Sequence, residues 1–215
     1  MNKLQAKLFM MLIGNLLLGL AVGIFIIAEL GTDPFATMNL GISSTLGLSL
    51  GFYQLLFNAL LFIVIIVYGR HLIGLGTIVN MVAIGFIADF IVYSYNQLNV
   101  AQPSMIVKLI LLLLGIMIAS FGLSLYITAQ LGVAPYDALP LIIMKMLNES
   151  ISFTKARLAV DILAVVIGFL FGAVVGVGTL LIAVTLGPMV TFHNKRISEP
   201  FLHRYDVLLA KKKTI

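Results

Sequence analysis

Ala28-Glu29-Leu30-Gly31-Thr32-Asp33-Pro34-Phe35 returns later in the chain as Ala129-Gln130-Leu131-Gly132-Val133-Ala134-Pro135-Tyr136. In both copies Leu-Gly closes an apolar run and Pro opens the next. Glycine takes the left-handed position that stops a helix, and proline suits a first helical turn. At the same offset Gly14 falls on Gly115. With the offset widened by one, Gly74-Leu75-Gly76-Thr77 falls on Gly176-Val177-Gly178-Thr179, and Gly85-Phe86 on Gly187-Pro188. Landmarks recurring in the same order mark an internal repeat.

The surrounding composition says what kind of repeat this is. Of 215 residues, 61% are hydrophobic and 10% charged, against about 25% charged in soluble domains. So few charges cannot furnish a water-facing surface, and the chain reads as a polytopic α-helical membrane protein. Six apolar segments are long enough to span: 8–29, 53–69, 72–94, 106–129, 155–172 and 174–192. Two shorter ones, 34–48 and 135–148, follow the Pro of each copy and are expected as re-entrant or interfacial helices. Lys3 and Lys7 before an apolar run resemble a signal peptide, but the run continues to Ala28 and reads as a retained first span.

The expected organisation is a first membrane repeat over 1–104, a second over 105–192, and a basic tail over 193–215. Each repeat holds three spans, an odd number, so the second copy enters the bilayer inverted. Lys and Arg set the orientation. With the N-terminus inside, every basic residue but Lys108 lies on the cytoplasmic side, so both termini are expected there. Inverted repeats recur in transporters, with sites near the midplane where Pro- or Gly-interrupted segments meet.

The polar residues are few enough to weigh singly. Asp33 occupies an N-cap position before Pro34, and Asp137 lies in the first turn after Pro135. These four are the candidate lining of a central substrate site, though ordinary helix caps at a membrane surface would read the same way. Asn58 (with Gln54), Asp89 and Asp161 are possible contributors. Arg157 stands four residues before Asp161 on one helical face, which favours a structural ion pair over a proton carrier. Asn15 is expected to stitch helices. Glu29, Asp33 and Asp89 map to one side and suggest an acidic vestibule. With no Lys or Arg deep in a span, a cation, a proton-coupled or a neutral solute is favoured over an anion. Gly19 and Gly23, and Gly168, Gly172 and Gly176, are spaced for close helix packing.

Other chemistries find no footing. With no cysteine there is neither a disulfide nor a thiolate site. His71, His193 and His203 make no metal-ligand spacing and no deep histidine is expected. A Ser–His dyad, a paired-Asp motif and a metal or cofactor site are likewise not expected, so an enzyme is not. The net charge of +5 has no soluble basic face to carry it, which argues against nucleic acid as a partner. The tail, with Lys195, Arg196, Arg204 and Lys211 to Lys213, suits an anionic leaflet or a cytoplasmic partner.

On Leu30-Gly31-Thr32-Asp33-Pro34, Gly132-Val133-Ala134-Pro135-Tyr136-Asp137 and Gly176-Val177-Gly178-Thr179, the chain resembles the YczE/YyaS/YitT family of bacterial membrane proteins, its YczE members above all. That resemblance implies a multi-pass protein of the bacterial inner membrane and no particular substrate. The leading expectation is a small-solute permease in the lipid bilayer, possible as a homodimer. The other is a membrane scaffold acting through a cytoplasmic partner.

Overall fold

The structure, a computed structural model, describes residues 2–99 and 101–204. Among these the chain is all helix: α1 Lys3–Ala28, α2 Pro34–Leu46, α3 Leu50–Tyr68, α4 Leu75–Gln97, α5 Met105–Ala129, α6 Pro135–Met146, α7 Phe153–Leu170 and α8 Val177–His193. A single 3₁₀ turn, Arg70–Leu72, joins α3 to α4. Five helices are long and apolar enough to cross a membrane: α1, α3, α4, α5 and α8 with its extension to Arg204. The span expected over 155–172 is α7, an 18-residue helix that carries Lys155, Arg157 and Asp161 and is therefore less apolar. The short segments after each Pro are helices of 13 and 12 residues, α2 and α6.

Two differences from expectation have local causes. The left-handed residues that cap α1 and α5 are Glu29 and Gln130, both at φ 52°, rather than the glycines. Gly31 and Gly132 follow as second positive-φ positions, at 103° and 120°. The expected Gly168/Gly172/Gly176 stripe does not exist as one helical face. Gly168 packs on Thr37 of α2, but Gly172 is a left-handed turn residue beyond α7 and Gly176 is the N-cap of α8.

The core is an antiparallel pair, α1 against α5. A Cβ on Gly14 would lie 2.7 Å from the Gly122 carbonyl oxygen, and one on Gly115 would lie 2.4 Å from the Phe25 ring. At one end of the pair Lys108 and Glu29 form an ion pair at 2.6 Å. Against α1 lies α4, where Gly19 and Gly23 receive Ile87 and Ile91. Against α5 lies α8. Farther out, α2 packs on α7 through Gly41 and Gly168, and α3 packs on both α4 and α6. Helices that approach this closely gain van der Waals contact that lipid cannot supply.

The duplicated motifs hold each other. The Leu30 carbonyl accepts the amide of Gly178, and the Leu131 carbonyl accepts that of Gly76, each at 2.7 Å. Each Leu-Gly bend thus docks on the Gly-x-Gly-Thr of the other copy. Side chains would block both seats: a Cβ on Gly74 or Gly178 would sit 2.2 or 2.6 Å from the incoming carbonyl oxygen. The periphery is uncovered hydrocarbon, with Ile106 71%, Leu170 74% and Leu180 67% exposed. Such a surface is stable only in lipid.

Candidate binding cavity

Beyond their mutual braces, the two bends converge. Phe35 and Tyr136, matched in the sequence repeat, stack with ring centroids 4.5 Å apart. A cavity of about 1200 Å³ adjoins them, with Asp33, Pro34, Gln54, Asn80, Tyr136, Asp137, Arg157 and Asp161 in its wall. Most of the rest of its lining is aliphatic or aromatic, including Phe25, Ile84, Leu123 and Ile182, with His71, Gln130 and Thr179 as further polar members.

The charged end of the cavity is built by three elements. At the N-cap of α2, Asp33 accepts the Ala36 amide at 3.1 Å, which also pins the turn that carries Pro34. On α6 and α7, Arg157 bridges two carboxylates. Its Nε donates to Asp161 at 2.9 Å, and its Nη1 to Asp137. The Tyr136 hydroxyl donates to the other oxygen of Asp161 at 2.7 Å, and the guanidinium lies 5.2 Å from the Tyr136 ring centroid. The expected i,i+4 pair is therefore present, but it belongs to a larger network on the cavity wall. No Lys, Arg or His among the described residues stands within ion-pair distance of Asp33.

The candidate residues separate. Asp33, Pro34, Asp137 and Asp161 share the cavity wall. Pro135 is fully buried beside it, at N1 of α6. Asn58 lies off the cavity, donating to the Met81 carbonyl at 3.3 Å with its own carbonyl oxygen unpartnered. Asp89 is elsewhere too, accepting the Gly51 amide at 2.7 Å and fastening α3 to α4. The acidic vestibule expected from Glu29, Asp33 and Asp89 does not form: each is engaged separately, with Lys108, Ala36 and Gly51. Tyr136 and Tyr126 belong on the wall and were missed. Replacement of Phe35 by Tyr136 between the copies was the available signal; nothing in the sequence marked Tyr126.

No solved structure matches the chain. A family model does, over residues 5–195. The chain belongs to DUF6198, a family of unknown function. This DUF6198 member is 31% identical to the uncharacterised protein YyaS of Bacillus subtilis, over 82% of its own length and 86% of that protein. It is 28% identical to an uncharacterised protein of Haemophilus influenzae, covering 82% and 78% of the two chains. To the uncharacterised membrane protein YczE of Bacillus subtilis it is 27% identical, covering 80% and 79%. YczE is thus not set apart from the other relatives. With a membrane protein among these relatives and five apolar helices of spanning length, this DUF6198 chain is a multi-pass α-helical membrane protein.

Two further expectations change. His193 is buried, 6% exposed, and its Nδ1 stands 3.2 Å from Ser120 Oγ, with the Phe121 and Phe192 rings edge-on to it. A deep histidine and a Ser–His contact therefore exist, although neither residue lines the cavity. The tail also starts later than expected. Residues 194–198 form a π-helical turn, and helix continues to Arg204. Ser198 is fully buried against Ser124 of α5 at 2.6 Å, and Phe201 and Leu202 pack beside Met10 and Tyr126. The turn's extra residue swings this face onto α5. Lys211 to Lys213 lie outside the described residues.

Proposed function

We propose that this protein is a small-solute transporter built from two inverted three-helix repeats, with α2 and α6 as the short breaks that bring its site to the midplane. In this reading α1 pairs with α5, α2 with α6, α3 with α7 and α4 with α8. The helix contacts support the pairing: α2 meets α7 as α3 meets α6, and α1 meets α4 as α5 meets α8.

One observation carries the transport reading. Two helix pairs that the repeat makes equivalent are packed differently. α3 and α4 are locked, with a Cβ on Gly85 reaching 2.7 Å from Gly51 Cα and Asp89 holding the Gly51 amide. Their counterparts α7 and α8 barely touch, and nothing lies within 4 Å of a Cβ on Gly187, the match of Gly85. The cavity runs into the gap they leave, past Leu158 and Ile162 of α7 and Ala183 and Leu186 of α8. With both termini in the cytoplasm of a bacterial inner membrane, the locked pair seals the outer side and the gap faces inward. An inward-open state of an alternating-access protein has this form.

No catalytic step is assigned. Arg157, Asp137 and Asp161 are tied to one another without presenting a nucleophile, and the Ser120–His193 contact is away from the cavity.

The test uses the absence of native cysteine. Cysteines at Phe153 and Gly187, on the unpacked pair, are expected to cross-link in native membranes when α7 swings onto α8. A control pair at Thr45 and Phe171, already in hydrogen-bond contact at 3.2 Å, reports that the oxidant reaches the protein. Cross-linking of the control alone, through prolonged oxidation, would sink the alternating-access reading.

A further inference from the structure

Resting on the transport reading, the geometry points to a protonated amine with an apolar body as the ligand, its ammonium held at Asp33 on a wall that also carries Tyr126, and its body lying in the cavity between α5 and α8.

Charge comes first. The cavity wall carries three carboxylates and one guanidinium, and Arg157 is ion-paired with Asp137 and Asp161. Among the described residues Asp33 is the one carboxylate of the three with no cation at ion-pair distance. Its Oδ1 takes the Ala36 amide, so a second oxygen remains to accept from a ligand. A carboxylate in an apolar surround is costly without a counter-charge. A free anion would meet a wall on which carboxylates outnumber the guanidinium three to one.

The second observation is independent of the acidic group. Tyr126, on α5, lines the same cavity and is 4% exposed, yet its hydroxyl has no hydrogen-bond partner among the described residues. A buried, unpaired phenol hydroxyl is destabilising unless something met in function satisfies it. Its lone pairs can accept an N–H, which a protonated primary amine provides and a quaternary ammonium does not.

The remaining wall sets the body. Leu18, Val22, Phe25, Leu123, Ile182 and Leu186 offer hydrocarbon and no polar partner. The gap between α7 and α8 is walled by Leu158, Ile162 and Ala183 and extends the apolar surface available to the ligand's body. A small hydrated ion would leave most of this surface unsatisfied.

The probe set is 4-phenylbutylamine, 4-phenylbutanol and 4-phenylbutanoate: one body carrying a cationic, a neutral and an anionic head. Binding to purified full-length protein is measured by calorimetry, beside Asp33→Asn and Tyr126→Phe. Asparagine caps a helix as well as aspartate does, so Asp33→Asn keeps the turn while removing the charge. The amine is expected to bind about tenfold or more tightly than the alcohol, with the butanoate weakest. Asp33→Asn is expected to abolish the preference for the amine over the alcohol, and Tyr126→Phe to weaken the amine alone by a few-fold. Equal affinity for all three heads, or an unchanged preference in Asp33→Asn, overturns the assignment, as does a preference for the butanoate. Amine binding with no cross-link between positions 153 and 187 would keep this ligand and discard transport. A cross-link with no head-group preference would do the reverse.

Discussion

Gly85 and Gly187 occupy matching places in the two sequence copies, so the same substitution at each gives a test with an internal control. At Gly85 a Cβ meets Gly51 Cα at 2.7 Å, Gln54 Oε1 at 3.2 Å and Gly51 N at 3.3 Å. Carbon atoms rest about 3.5–4.0 Å apart, so α3 and α4 must separate by about 1 Å. The obstacle is backbone, and no rotamer can relieve it. A shift of that size stretches the 2.7 Å bond from the Gly51 amide to Asp89, and hydrogen bonds to charged groups contribute about 1.5–3 kcal/mol. Overpacking alone costs about 1–3 kcal/mol. Alanine recovers about 1 kcal/mol of helix propensity. Together these put the net loss for Gly85→Ala at about 1.5–5 kcal/mol. At Gly187 the Cβ meets nothing within 4 Å, and the same propensity gain applies. Pro188 follows, however, and a residue before proline resists the α conformation, so Gly187→Ala is expected within about 0.5 kcal/mol of neutral. Unfolding of both variants by titration from mild detergent into dodecyl sulfate, followed by circular dichroism, gives the two values. A Gly187→Ala loss equal to that of Gly85→Ala would mean that α7 and α8 are packed like α3 and α4. The unequal helix pairs, and the transport reading resting on them, would then fall.

Asn80 donates to Asn15 at 2.9 Å between α4 and α1, both side chains being buried. A double-mutant cycle with Asn15→Leu and Asn80→Leu is expected to give a coupling of about 0.6–1.7 kcal/mol in the same unfolding assay, and zero coupling would refute the bond. For orientation, single cysteines beside Lys108 and at Lys195 are expected to differ in labelling by a membrane-impermeant maleimide on intact cells. Only the one beside Lys108 reacts if both termini are cytoplasmic, and the reverse pattern would turn the gap between α7 and α8 outward.

Helix placement was legible because its signals are local. Apolar runs long enough to span, and Pro after a Leu-Gly bend, placed all eight helices to within a few residues at most ends. Asn15 as a stitch, the Gly19/Gly23 face and the Arg157–Asp161 pair also follow from spacing along one helix. What escaped notice depends on contacts between distant segments. Nothing near Asp89 in sequence says that its carboxylate takes the amide of Gly51, and residue type alone makes it a site candidate. His193 looked like the start of a polar tail, because the π turn that presses Ser198 onto α5 leaves no mark in hydropathy. The glycines misled in a similar way. Four-residue spacing implies one face only while the helix lasts, and α7 stops before Gly172.

The two copies have diverged most where a shared site would need them alike. Asp33 caps α2, but its counterpart Ala134 caps nothing, while Asp137, Arg157 and Asp161 all stand in the second copy. Proline is distributed as unevenly. Pro140 lies inside α6 where α2 has Asn39, and Pro188 lies inside α8 where α4 has Phe86. Each interior proline deletes one backbone hydrogen bond and marks a place where a helix bends. In α2 the matching position does the opposite: the Asn39 side chain adds a 2.7 Å bond to the Phe35 carbonyl. The first copy thus has Asp89 tying α4 to Gly51 of α3, and the second has two interior prolines beside an unpacked gap. If the protein alternates between two forms, the movement belongs mainly to α6, α7 and α8 swinging against a fixed first half. It is not an even rocking of two equal parts.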